Sequence, residues 1–174
     1  MRTTRCVWLA VALSAAAVSA HAQQRAPSDN ELHSAYCIPI VKVELQAAEK
    51  ATAAQEKSLA EINAAAGSPD IVKAATEVLD NLRGGEARFR AVLDRLQSYL
   101  LPKTTELDPM ALLAAENRGK ADWQSLVAMT DGCTKRKCGV SATDLDSECN
   151  KSCGMDKELV LRMRACNDPS WQPF

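Results

Sequence analysis

Between Asp70 and Leu100 the apolar residues fall on a single seam, Ile71, Ala75, Val78, Leu82, Gly85, Phe89, Val92, Leu96 and Tyr99, with steps that alternate four and three. A seven-residue repeat held over about four turns of the pattern predicts a helix packed along its length against another helix. The preceding stretch carries a matching seam, Val41, Leu45, Ala48, Thr52, Gln55, Leu59, Ile62 and Ala66, with Thr52 and Gln55 as polar interruptions. Gly67 is placed to stop that helix, and Ser68 and Pro69 to start the next. So short a connection makes the helices antiparallel neighbours. A reversal at Gly67 and Ser68 sets Ile62 opposite Ala75, Gln55 opposite Leu82, Thr52 opposite Gly85 and Ala48 opposite Phe89. Bulky side chains then often meet small ones, as close packing requires.

The expected fold is all-α: a long antiparallel coiled-coil helical hairpin followed by a small disulfide-stapled helical module. Ala, Leu, Glu, Lys, Gln and Arg dominate, aromatic residues make up only 4%, and no run alternates with period two, so no strand is predicted. The chain divides into a signal peptide (1–22), the hairpin (23–101), a linker (102–109) and a cysteine-rich helical module (110–174).

The first segment reads as an export signal of bacterial type. Arg2 and Arg5 precede a short apolar run from Cys6 to Val18, and Ala20 and Ala22 stand where a signal peptidase reads small residues. The run is too short for an ordinary membrane span, and Cys6 precedes it, so it is not the acylated cysteine of a lipoprotein. Loss of two arginines takes the 21 basic residues to 19 against 22 acidic ones, a net charge near −3. Nucleic acid is a poor partner for such a chain.

Export governs the cysteines. Of the seven, six lie beyond the leader: Cys37, Cys133, Cys138, Cys149, Cys153 and Cys166. An even number in an exported chain predicts disulfides rather than thiols. An antiparallel return within the module would join Cys133 to Cys153 and Cys138 to Cys149, leaving Cys37 for Cys166. Four thiolates from the module could instead bind zinc, but export disfavours free thiolates. No C-x-x-C occurs, which removes the usual redox motif and covalent haem.

Ser28 and Glu31 match a capping box, so a helix should start there, after a loose polar segment from Gln23 to Pro27. Pro39 is expected to kink or restart it. Gly84 and Gly85 would weaken the second arm by roughly 2 kcal/mol relative to alanine, yet the repeat passes through them unchanged. The expectation is one continuous helix in which Gly85 allows close approach of the first arm. Asp108 and Pro109 open a third helix, interrupted at Gly119 and ending near Asp131 and Gly132. Its segment from Met110 to Met129 is expected to cover the apolar outer face of Val43, Ala47, Ala51 and Ala54. A short helix starting near Ser141 carries Cys149 and Cys153, and the last helix runs from about Asp156 to Cys166. Trp171 and Phe174 should fold back onto a helical surface.

Candidate chemistry is sparse. His33 is the one histidine beyond the leader, and it reads as a solvated first-turn residue. Asp144, Asp146 and Glu148 resemble the opening of a calcium loop but lack its glycine and its closing glutamate, Met155 standing in that place. Asn150-Lys151-Ser152 matches a glycosylation acceptor by chance, and Lys135-Arg136-Lys137 reads as a solvated loop. No catalytic, cofactor-binding or metal residue is assigned and no cofactor is expected. The expected function is that of a periplasmic or secreted, non-enzymatic interaction module, adaptor or inhibitor, its partner another protein of the cell envelope or exterior, with homo-oligomers possible through the hairpin. The alternative is a small-ligand or metal-binding envelope protein that uses the helix groove or the cysteine cluster.

Overall fold

A computed structural model of the chain describes residues 24–138, 145 and 147–168. The readings of residues 1–22 as a leader, of a helix start at Ser141, of Asp144 and Asp146, and of Trp171 and Phe174 lie outside them. The described residues form five α-helices and no strand: α1 (Asp29–Ala64), α2 (Pro69–Leu100), α3 (Pro109–Lys135), α4 (Glu148–Ser152) and α5 (Lys157–Ala165). No helix among them is long and apolar enough to cross a membrane.

The ends of α1 are set by local chemistry. Ser28 and Glu31 form the reciprocal capping box, the Ser28 amide donating to Glu31 Oε2 at 2.8 Å. Glu31 is buried and is also bound by Arg25, whose Nη2 lies 2.6 Å from Oε1. The segment around Arg25 is therefore not loose. Its amide donates to the Glu106 carbonyl and its carbonyl accepts from the Asp108 amide, pinning the α2–α3 connection to the start of α1. At the other end, α1 stops at Ala64 and Ala66, at φ 52°, takes the left-handed turn conformation. Gly67 serves a different purpose: a Cβ there would stand 2.6 Å from Ile62 Cγ2.

The hairpin is antiparallel and continuous, with Pro39 inside α1 and Gly84 and Gly85 inside α2. The first-arm seam is the expected one from Val41 to Ile62. The second-arm seam is rotated. Ala75, Leu79, Leu93, Leu96 and Leu100 are buried, while Ile71 and Val78 are 55% and 47% exposed. Three of every seven positions of α2 are apolar, and the inner seam uses the set Val72, Leu79, Leu93 and Leu100 with the shared Ala75, Leu82, Phe89 and Leu96. Across the seam the Gln55 side-chain amide donates to the Ala75 carbonyl. Two exposed ion pairs one repeat apart, Arg83 with Glu56 at 2.8 Å and Arg90 with Glu49 at 2.9 Å, run along one edge of the hairpin. Gly85 does not serve close approach: a Cβ on either glycine of the pair would meet nothing within 4 Å.

Helix α3 is unbroken from Pro109 to Lys135, passing both Gly119 and Gly132 and carrying Cys133. Gly119 is a packing residue. It is buried, and a Cβ there would collide with the Tyr36 carbonyl and lie 3.4 Å from Pro39 Cγ. The absent proline N–H and the absent glycine side chain thus belong to one close crossing of α1 and α3. That crossing sits on the basal half of the hairpin, away from the turn. Trp123 and Gln124 flank Val43 and Gln46, and Ala47, Ala51 and Ala54 beyond them stay exposed, so α3 does not cover that outer face.

Three disulfides close the molecule: Cys37–Cys166, Cys133–Cys153 and Cys138–Cys149. The first seats α5 on the base of the hairpin, where Leu159, Met163 and Cys166 join Cys37, Ile40, Val41, Leu45, Val92, Leu93 and Leu96 in the main core. The other two hold α3 to α4 around a second cluster with Leu145, Met155 and Val160. Arg136, read as a solvated charge, donates from Nη1 to the Ser152 carbonyl at 2.6 Å and so braces this module.

Candidate functional site

Two features remain once the packing is accounted for. One is the outer face of the distal hairpin, the half nearer the turn. Consider the two edges of the α1–α2 seam. Along one run the ion pairs of Glu49, Glu56, Arg83 and Arg90. Along the other stand Cys37, Glu44, Ala51 and Ser58 on α1, at one-repeat spacing, and Ile71, Val78, Gly85 and Val92 on α2. In the basal half α5 covers this second edge. Cys37 is bonded to Cys166, the Asn167 side-chain amide donates to Glu44 Oε2 at 2.5 Å, and Val92 is 3% exposed. Burial raises the Glu44 pKa above its ordinary value, partly offset by that amide. In the distal half the cover ends. Ala47, Ala51, Ala54, Ile71, Ala74 and Val78 are exposed, and none of these side chains is charged. Water-facing apolar residues concentrated on one side of a two-helix arm make this face the candidate interaction surface.

The other feature is a cleft of about 620 Å³ at the base, between the first turns of α1, the first turns of α3 and α5. Its floor is made of small or aliphatic side chains, Leu32, Ala111, Ala114, Ala115 and Ala165; its polar rim holds Asp29, His33, Tyr36, Arg118 and Arg162. Tyr36 donates to Asp122 Oδ2 at 2.8 Å, and Arg162 Nη2 lies 3.7 Å from the same oxygen. Burial, then the Asp122 carboxylate, push the phenol up to about 12, so it stays protonated at neutral pH. His33 is half-buried rather than solvated, its Nε2 3.5 Å from Cys37 Sγ. Burial lowers its pKa, which keeps the imidazole neutral at pH 7. Among the described lining residues there is no serine, threonine or cysteine. The groups gathered here can hold and orient a molecule by hydrogen bonds and apolar contact.

The cysteines named from the sequence are all in bridges, which removes the thiolates that a zinc site needs. Among the described residues no group of three or more His, Cys, Asp or Glu side chains is placed to hold a metal ion. Asn150 is fully buried, so the acceptor triplet at 150–152 is closed to a glycosylating enzyme in the folded chain. Tyr36, Arg118, Asp122 and Arg162 come together from three helices, and no local motif announces them. The distal face was latent in the seam at Ile71, Val78 and Gly85. No family model, no curated protein and no solved structure matches the chain.

Proposed function

We propose that the protein is an exported, non-enzymatic interaction module that works in the periplasm or outside the cell through the distal face of its helical hairpin. The observation that carries this reading is the uncharged strip of Ala47, Ala51, Ala54, Ile71 and Val78, continuous with the edge that α5 covers at the base. A rod of two helices presents a long surface, the second arm of 32 residues measuring about 48 Å. The three bridges and the leader-like start of the sequence support an oxidising compartment as its place of work. A photo-crosslinking side chain at Ala51 or Val78, in cells that export the protein, should yield protein adducts, and the same group at exposed Ala60, on the opposite side of α1, should not. Absence of adducts from both positions on the apolar strip would remove the reading.

The cleft favours a second reading, a small-ligand carrier that encloses an amphipathic molecule between the alanine floor and the Arg118 and Arg162 rim. A bulky Ala114→Trp variant that keeps its fold but loses a ligand copurified with the wild type would support it. Native mass spectrometry that finds no ligand on the exported wild-type chain would set it aside.

A further inference from the structure

Granted the carrier reading of the basal cleft, on which this rests, we infer that its ligand is a carboxylate amphiphile with a single charge and an unbranched alkyl tail, its head between Arg118 and Arg162 and its tail along the alanine floor. The cleft has two unlike ends. Helices α1 and α3 run in the same direction beside it, because Ala115 packs against the cluster that holds Ala35, the Tyr36 carbonyl faces Gly119, and Val43 shares a recess with Trp123. Tyr36 and Arg118 therefore mark one end, where Asp122 and Arg162 also stand. Asp29 and Ala111 mark the other, each seven residues earlier on its helix and so about 10 Å away.

Charge decides which end takes the head. The Arg162 guanidinium is opposed by Asp122, 3.7 Å from it, and that carboxylate also accepts from Tyr36 at 2.8 Å. Arg118 is exposed, and among the described residues it has neither an ion pair nor a hydrogen bond. Two guanidiniums against one carboxylate leave one positive charge, the complement of a single carboxylate head rather than of a doubly charged phosphate. His33 and Tyr36, both neutral at pH 7, do not alter that balance. At the far end Asp29 repels a carboxylate, which disfavours the reversed orientation. Between the ends Leu32, Ala111, Ala114 and Ala115 carry no polar side-chain atom, and the three alanines leave room along α3 for a slender alkyl chain.

Titration of the full chain with its bridges intact, followed by backbone amide NMR shifts, tests the head group with three probes that share one tail: decanoate, decyltrimethylammonium and decanol. Decanoate should move the amides of Leu32, Ala114 and Arg118 and bind about tenfold more tightly than either of the others. Each methylene removed from it should weaken binding by about fourfold. Arg118→Gln should cost decanoate about tenfold and decanol nothing, with thermal unfolding unchanged because Arg118 holds no other described residue. Ala114→Trp should abolish binding of all three. Equal affinity for decanoate and decanol, or a preference for decanoate that survives Arg118→Gln, would overturn the carboxylate head; an affinity independent of chain length would overturn the placing of the tail. Decanol binding that Ala114→Trp removes would then leave the carrier reading standing without its anion. If no probe moves the cleft amides, both fall.

Discussion

The carbonyl oxygen of Tyr36 occupies the space in which a side chain on Gly119 would have to begin. Neither atom can yield, since one is helix backbone in α1 and the other helix backbone in α3. Gly119→Ala should therefore force the helices apart and cost about 3 kcal/mol, although alanine is the better helix former. Thermal unfolding checks the sign: a stabilised variant would mean that α3 does not cross α1 here.

The bridges should differ in weight. Cys37–Cys166 spans a sequence separation of 129 and Cys138–Cys149 one of 11. If loop closure in the unfolded chain dominates, losing the first costs about 5 kcal/mol and losing the second about 3 kcal/mol. Denaturant titration of the two paired Cys→Ser variants, each with the remaining bridges formed, should give that order. Equal losses would place the effect in the native state.

Acid should unlock the N-terminal end of α1. The Glu31 pKa is lowered from 4.5 to about 2, first by the hydrogen bond from Arg25 and then, against the opposing effect of burial, by the bonds from Ser28. A carboxyl held lower in the folded than in the unfolded chain contributes stability that is complete above pH 4.5 and is lost as the pH falls toward 2. Glu31→Gln should cost about 2 kcal/mol at pH 7 and flatten the wild-type decline between pH 4.5 and 2. A decline of the same steepness in the variant would assign it to other carboxyls.

Two exposed substitutions should stabilise the hairpin. Gly84→Ala adds a methyl group that meets nothing within 4 Å and removes an unfavourable glycine, a gain of about 1 kcal/mol. Ala66→Gly relieves the left-handed residue at φ 52° by a similar amount, about 1 kcal/mol. Gly67→Ala, one residue on, should destabilise because of Ile62. Chemical denaturation of the three variants separates the residue that bends the chain from the one that lets it pass.

The helical hairpin was legible because seven-residue spacing is a property of the chain itself. Its rotation was not. Leu79 and Val78 are adjacent and both apolar, as are Leu93 and Val92, so α2 offers two seams that share Ala75, Leu82, Phe89 and Leu96. Which of them turns inward depends on how the neighbouring helices pack against it, and Glu86 in the inner set hid it further. Gly119 misled for a related reason: a glycine that ends a helix and one that admits a neighbouring backbone are the same letter. The cysteine pairs followed from an antiparallel return, whereas the rim of the cleft, drawn from residues 29–36, 118 and 162, depends on tertiary packing that no short spacing encodes.

The link between Cys37 and Cys166 also decides how the molecule carries load. Tension applied to the chain outside these two residues passes straight across the sulfur bridge, from the first turns of α1 to the end of α5. The hairpin beyond Cys37 and the other two bridges lie inside the covalent ring, whereas Tyr36, on the α1 side of the α1–α3 crossing, lies just outside it. Tethered by its flanking segments, this protein would carry a sustained pull across that bridge, with the distal hairpin projecting sideways and unstrained.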